Sequence, residues 1–388
     1  MIELSQYYTQ QLFSRLLVNS IDFDLPSVIL DIGVGDGSLT KAALDRWVNA
    51  KFIAIDIDKK NCENLRTYSD LIIIANEDGL DPSINRKLKI KFGSVDVAIC
   101  NPPYGLIVNE KLYEPIFKRA NLNSCLKLKR IPSDIVFFAN NISMLRQGGQ
   151  LGIILPDGVL TRKDLKDLRK DIIYNHTLKF IIQLPDNIFK GTEAKTHILI
   201  LSKGKSNYSH VNLMLADENG QCSNALRIDK FKLIERMDYS YHLGNSQNKE
   251  RRGENLRDIG VVINRGSFTH KELKILCIDH LHTTNINNID FESDSIPVQF
   301  QSKVTVSHDD IIMARVGKRC IGKIARIQSG EYLISDCLYR IRVPKPFLSK
   351  VWEFLNSLDG INWMNSVAHG VCSKVISKED LLNLQLPE

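Results

Sequence analysis

The chain has 388 residues, of which 43% are hydrophobic and 25% charged, and 51 basic against 45 acidic residues leave a net charge of +6. That length holds two domains with separate cores, and the composition is that of an ordinary globular protein, which excludes fibrous and low-complexity classes. No apolar run approaches the roughly 20 residues that cross a bilayer, and the start MIELSQYYTQQLF lacks the basic and apolar segments of an export signal, so no membrane association is expected and the expected compartment is the cytoplasm.

The first half alternates apolar runs with amphipathic stretches, the pattern of an α/β sheet covered by helices. Strands are expected at Val28–Ile32, Phe52–Ile57, Leu71–Ala75, Val95–Cys100, Leu151–Leu155, Phe180–Leu184 and Ile198–Leu201. Several are apolar almost throughout, as parallel strands buried on both faces are. The last two, joined by DNIFKGTEAKTH, predict an antiparallel hairpin at one edge of a doubly wound sheet. The polar stretch GNSQNKERRGE (Gly244–Glu254) reads as a linker. Short strands follow at Ile259–Ile263, Ile311–Arg315, Gly322–Ile327 and Leu338–Val343, with a helix at Leu348–Leu358. The expected division is therefore residues 1–245 and a smaller, mainly β domain at 246–388.

Val28–Ile32 runs into DIGVGDGSLT, a glycine-rich turn opening a helix. Gly33, Gly35 and Gly37 clear the backbone for a close ligand and permit positive φ, and the helix start offers unpaired N–H groups. The spacing departs from GxGxxG, which argues against a pyrophosphate site and a dehydrogenase. The acid Asp31 beside the glycines suits a cationic ligand better than an anionic one. The second strand ends AIDID, placing Asp56 to accept from both hydroxyls of a ribose and Ile57 to pack on a nucleoside ring. Asp78, after the third strand, is a candidate acceptor for the amino group of that ring, or a simple turn residue. Strand, glycine turn, helix and acid-tipped second strand resemble the class I S-adenosylmethionine methyltransferases, a Rossmann-like fold with a mostly parallel sheet and an antiparallel hairpin. Thr9, in QYYTQQLF, resembles the N-terminal cofactor-contacting segment of some of them, with Gln10 in place of the usual proline.

Val95–Cys100 emerges into Asn101-Pro102-Pro103-Tyr104-Gly105. Two consecutive prolines fix φ near −65° and make this turn rigid. The turn suits an amine conjugated to an aromatic ring, whose delocalised lone pair is a poor nucleophile. Two acceptors, the Asn101 side-chain oxygen and the Pro102 carbonyl, would draw such a nitrogen towards tetrahedral geometry. Catalysis is then positioning and preorganised polarity rather than strong base. Tyr104 offers a face on which an extruded base stacks. The motif does not by itself fix the substrate, since adenine N6, guanine N2 and a glutamine side-chain amide share the planar conjugated NH2 group.

Cofactor motifs first, NPPY next and a β domain last resemble the gamma arrangement of adenine-N6 DNA methyltransferases of type I and type II restriction-modification systems. The resemblance implies transfer of a methyl group from S-adenosylmethionine to N6 of a flipped-out adenine in double-stranded DNA. It also implies a cognate restriction endonuclease or specificity partner. SDIVFFANNISMLRQGGQLGIILPDGVL resembles the family's helix, Gly-Gly turn and fifth strand, and IIQLPDNIFKGTEAKTHILILSK the stretch bearing its second stacking aromatic, here Phe189. DIIMARVGKRCIGKIARI, SDCLYRIRVP and HGVCSKVISKEDLLNLQLP resemble the target-recognition domains of type I specificity subunits. The alternative is an RNA or protein-glutamine N-methyltransferase, against which the late position of the extra domain counts.

Two acid-free stretches carry clustered cations that can displace phosphate counterions: Pro115–Ser133, with Lys127, Lys129 and Arg130, and Ile311–Gly330, with Arg315, Lys318, Arg319 and Lys323. These residues are the candidate DNA contacts. The eight cysteines are scattered without a CxxC pair, as free thiols in a reducing compartment are. Cys277, His280 and His282 lack a second ligand pair at finger-like spacing, so no metal site is expected.

Overall fold

The computed structural model of the chain describes residues 10–108, 111–186, 188, 195–286, 296, 300, 302–317, 319–370 and 373–388. These form two compact units, Met1–Tyr239 and Ser240–Glu388. The division falls a few residues before the expected one. The polar stretch read as a linker lies largely within a helix of the second unit, because Tyr239–Glu250 winds into α9; its glycine and asparagines disfavour helix locally, and packing overrides them.

The first unit is built on β1 (Val28–Ile32), β2 (Lys51–Asp56), β3 (Ile72–Asn76), β4 (Val95–Cys100) and β7 (Leu145–Pro156), parallel in the order β7-β4-β1-β2-β3. The helices α1 (Gln11–Asn19), α2 (Ser38–Arg46), α3 (Lys59–Arg66) and α4 (Ile84–Lys87) belong to this part of the chain. A short antiparallel pair, β5 (Leu106–Val108) and β6 (Arg130–Pro132), brackets α5 (Glu114–Arg119). The helix α6 (Ser133–Met144) leads into β7, and α7 (Asp157–Thr161) and α8 (Lys166–Asn175) follow it. The expected hairpin is present as β8 (Thr177–Gln183) and β9 (Thr196–Ser202), antiparallel to one another. It does not end the sheet: β10 (His210–Leu215) and β11 (Leu226–Asp229) extend it to nine strands beyond β8. Those two strands escaped the sequence reading because HVNLML and LRID mix apolar with polar residues, as strands near a half-solvated edge do.

One face of the sheet packs on Phe13, Leu17 and Val18 of α1, with Leu39, Ala43 and Leu44 of α2 and Trp47 in the same core. The spacing of Phe13 and Leu17 puts both on one side of the helix. Helix α6 is different: all twelve of its residues are buried. Its sequence SDIVFFANNISM therefore carries Ser133, Asp134, Asn140, Asn141 and Ser143 into the interior, where each polar group needs a partner.

The second unit holds a four-stranded sheet of β12 (Val262–Arg265), β19 (Leu338–Arg342), β15 (Ile311–Ala314) and β17 (Ile324–Arg326), in that order. A three-stranded sheet joins β13 (His280–Leu281), β18 (Tyr332–Ile334) and β14 (Thr305–Val306), and β16 (Val316–Gly317) pairs with β20 (Lys374–Val375). The helices α10 (His270–Ile275), α11 (Leu348–Asn356), α12 (Leu358–Val367) and α13 (Lys378–Leu382) complete it. The core joins Ile311, Met313 and Ile341 to Val351, Leu355 and Trp363 of the last helices. His280 and His282 meet His270 rather than Cys277, which is exposed: His270 Nδ1 lies 2.7 Å from His280 Nε2, and the His270 and His282 rings stack at 4.0 Å.

Candidate active site

The parallel register sets the site. Asp31 pairs level with Ile99 of β4 and with Ala54 of β2, so the turns leaving β1, β2 and β4 open at one edge of the sheet. Gly33, Gly35 and Gly37 have φ of +84°, +59° and +80°, a region that costs a residue with a Cβ roughly 1–2 kcal/mol. A Cβ at Gly33 would lie 3.3 Å from Phe137 of α6 and 3.9 Å from Pro103. The glycine turn and the proline turn, separate in sequence, therefore lie against each other.

Asp31 is 2% exposed. Its Oδ2 accepts from the Thr40 hydroxyl at 2.6 Å, while its buried Oδ1 has no hydrogen-bond partner. Burial pushes its carboxyl up to about 7; the Thr40 bond opposes this, and the negative charges of Asp56 and Asp36 add to it. A cation brought to Oδ1 would satisfy that orphan. Asp56, 5% exposed, accepts from the Gly35 N–H at 2.7 Å and from the Asp58 N–H at 2.8 Å, so its carboxylate is fixed in direction. The neighbouring Ile57 is 57% exposed, an apolar side chain left open beside that carboxylate. Asp78 accepts from the Leu80 N–H at 2.8 Å, and Gly79 lies so close under α6 that a Cβ would come within 2.4 Å of Phe137. Orphan acid, cleared backbone, oriented carboxylate and open apolar shelf fit a nucleoside bearing a cationic tail, the chemistry of S-adenosylmethionine.

The proline turn is braced from behind. The Ser133 hydroxyl donates to the Pro103 carbonyl at 2.8 Å, and the Ser133 N–H donates to the Gly105 carbonyl at 2.9 Å. Leu106 pairs with Pro132 across β5 and β6. Pro102 is buried, whereas Asn101, Pro103 and Tyr104 are half-buried, and the Tyr104 hydroxyl stands 3.5 Å from Asn101 Oδ1. Cys100, the last residue of β4, donates its thiol to the Ile32 carbonyl at 3.0 Å, and burial first, then the nearby Asp31 charge, hold that thiol well above its ordinary pKa. Asp134, at the start of α6, is pushed up to about 7 by its burial.

The structure thus brings together Asp31, Gly33, Gly35 and Asp56 with Asn101, Pro102 and Pro103. Thr9 and Phe189 lie outside the described residues. Their neighbours are joined, since the Gln10 side chain donates to the Ile188 carbonyl at 2.7 Å. Of the candidate DNA contacts, Lys127, Lys129 and Arg130 are exposed, and Arg130 opens the strand that pairs with β5 just past the proline turn. Arg319 and Lys323 are exposed in the second unit, and Lys318 lies outside the described residues. Arg315 is less available than its sequence context implies: it donates to the Asp336 carbonyl at 3.1 Å and sits over the Tyr339 ring at 5.4 Å.

Sequence reasoning missed several supporting residues. Thr40 and Ser133 carry no signal beyond being small hydroxyls near a motif. Asn140, whose amide donates to the Gly79 carbonyl at 2.8 Å, could have been found as a polar residue in an otherwise apolar helix. A buried charged group was missed at the sheet end beyond β7. Asp157 Oδ1 lies 3.0 Å from His197 and 3.7 Å from Lys195, and Lys195 is also 3.7 Å from Asp238, which pairs with Arg236 at 2.8 Å. Burial pushes Asp157 up, but the His197 hydrogen bond and the Lys195 and Arg236 charges outweigh it and hold the carboxyl well below its ordinary range.

Among solved structures, the crystal structure of the type IIG restriction endonuclease BpuSI matches 97% of this chain and 57% of its own, with a TM-score of 0.54 and 14% identity, a likeness of fold. The type I restriction enzyme EcoEI methylase subunit of Escherichia coli is 24% identical over 218 residues, covering 52% of this chain and 43% of its own length. The MjaVII methylase subunit of Methanocaldococcus jannaschii is 27% identical over 215 residues, covering 52% of this chain and 37% of its own. The matched part is thus less than half of either relative. The family model described as N-6 DNA Methylase matches residues 3–252, which contain both the glycine turn and the NPPY turn. With that match spanning most of its length, the chain belongs to the N-6 DNA methylase family.

Proposed function

We propose that this chain methylates the exocyclic N6 of adenine in double-stranded DNA, with S-adenosylmethionine as donor. The bound donor supplies an electrophilic methyl on a sulfonium. The Asn101 side-chain oxygen and the Pro102 carbonyl accept from the two amino hydrogens and draw the nitrogen lone pair out of conjugation. Tyr104 and Phe189 stack on the extruded base, which offsets part of its unstacking. Asp31 faces the cationic end of the donor, and Asp56, Ile57 and Asp78 take its ribose and ring. Lys127, Lys129 and Arg130 contact phosphates near the target. Residues 240–388, with Arg319 and Lys323 exposed, recognise the DNA sequence, and a specificity subunit or cognate endonuclease is the protein partner. The observation that carries this reading is the packing of Gly33 of the β1 turn against Pro103 of the β4 turn.

The test is incubation with duplex DNA and methyl-tritiated S-adenosylmethionine. Label is expected in DNA as N6-methyladenine, and Asn101→Ala should lower the rate at least about 100-fold, the typical effect of removing one preorganised polar group, while still binding the cofactor. Label in polypeptide or RNA with DNA unlabelled would replace the substrate assignment. Full activity in the variant would remove Asn101 from the chemistry.

A further inference from the structure

The strand end that presents Asp56 and Ile57 is held by a side chain with no part in the chemistry above. Asn76 closes β3, and its amide nitrogen donates to the Asp56 carbonyl at 3.0 Å and to the Ile57 carbonyl at 2.8 Å. Asp56 pairs level with Asn76, and its carbonyl also accepts from the Glu77 N–H at 3.0 Å, so the Ile57 carbonyl is the first past the backbone ladder. The Asn76 amide extends the ladder by one carbonyl. Two backbone N–H groups, of Gly35 and Asp58, meanwhile fix the Asp56 carboxylate from the other side. The outcome is an oriented carboxylate beside a 57% exposed isoleucine, an arrangement that water alone would not maintain.

We infer that Asn76 is a positioning residue for the nucleoside half of the cofactor: it fixes the Asp56–Ile57 peptide so that the carboxylate and the apolar side chain face one ribonucleoside with vicinal hydroxyls. The inference rests on the reading that Asp56 and Ile57 hold that nucleoside. It separates from a merely stabilising strand tie by where its loss is felt. β3 stands three strands from β4 in the sheet order, so Asn101 and Pro102 are out of reach of Asn76. Removing the clamp should weaken cofactor binding and leave the transfer step alone.

Asn76 is itself exposed, so Asn76→Ala leaves no cavity in the core. The full chain and the variant are titrated with S-adenosylhomocysteine by calorimetry, and steady-state rates are measured with S-adenosylmethionine and duplex. The loss of two hydrogen bonds predicts a fall in S-adenosylhomocysteine affinity of about tenfold, an equal rise in cofactor KM, and kcat and duplex affinity within twofold of the parent. Asn76→Asp, whose carboxylate cannot donate to the two carbonyls, should lose at least as much. Parent and variant should converge on a 2′-deoxyadenosyl analogue, because the oriented carboxylate then has less to grip. Equal affinity in parent and Asn76→Ala, or a fall in kcat with cofactor affinity intact, overturns the clamp alone. Failure of the parent itself to bind S-adenosylhomocysteine overturns the cofactor reading, and the clamp with it.

Discussion

Asp31 offers a test in which stability and ligand affinity move in opposite directions. Its carboxyl is pushed from 3.8 up to about 7, chiefly by burial, and Oδ1 has no partner. A rise of about three units corresponds to on the order of 4 kcal/mol disfavouring the ionised form in the free protein. Because the folded pKa lies above the unfolded one, the native state binds the extra proton between pH 3.8 and 7. The stability of the free protein therefore falls as pH rises through that window and levels off above it. A cationic ligand reverses the preference by pairing with the carboxylate. Ligand affinity should therefore weaken about tenfold from pH 8 to pH 6, as protonation removes the negative charge. Asp31→Asn keeps an acceptor for Thr40 and removes the buried charge. It should raise the melting temperature of the free protein at pH 8, lower S-adenosylmethionine affinity, and abolish the pH dependence. Calorimetric titration at pH 6, 7 and 8 and a thermal melt at pH 8 decide it. A parent whose affinity is the same at pH 6 and pH 8, or a variant that melts lower than the parent, would refute the argument that Asp31 is a buried acid awaiting a cation.

Two further outcomes follow from the charged groups. Asp157→Ala should cost on the order of 3 kcal/mol in denaturant unfolding, since it takes the hydrogen-bond partner from buried His197 and leaves Asp238 as the remaining carboxylate beside Lys195 and Arg236; a change under 1 kcal/mol would mean that Asp238 alone balances those charges. Arg130→Ala and Arg319→Ala should each weaken duplex binding and reduce the slope of log affinity against log salt by about one, and an unchanged slope in either variant removes that residue from the phosphate contacts.

The strands and turns of the first unit were legible because their physics is local. Val28–Ile32 and Val95–Cys100 are apolar runs too uniform for an exposed strand, and the residues that follow them, glycines in one case and prolines in the other, admit few backbone conformations. β10 and β11 were missed because their patterns carry little hydrophobic contrast, and α9 because its composition argues for a loop. Asn76, Thr40 and Ser133 were missed for another reason. Asn76 and Ser133 act on backbone carbonyls distant in sequence and Thr40 on the carboxylate of Asp31, and asparagine, threonine and serine occur everywhere. Arg315 shows the converse error: an arginine in an acid-free stretch looked available, yet the fold engages it with Asp336 and Tyr339.

The polar groups around the proline turn also bear on the proposed reaction, which asks for no strong base. Asp31 and Asp134, whose charges both reach the Cys100 thiol, are each pushed up to about 7, so neither is a settled carboxylate at neutral pH. Asp134 is buried at the start of α6, next in sequence to the Ser133 whose hydroxyl donates to the Pro103 carbonyl. A fixed negative charge at the amine would help only after transfer, when the methylated nitrogen is already acidic enough to lose its proton to water. Before transfer, the barrier lies in breaking conjugation between the amine and its ring. In the proposed reaction, the two neutral acceptors of Asn101 and Pro102 would address that barrier directly, because dipoles set during folding need no reorganisation when the reaction occurs. The second proline stiffens the turn further: it has no N–H of its own, its φ is fixed by its ring, and its carbonyl accepts from the Ser133 hydroxyl at 2.8 Å.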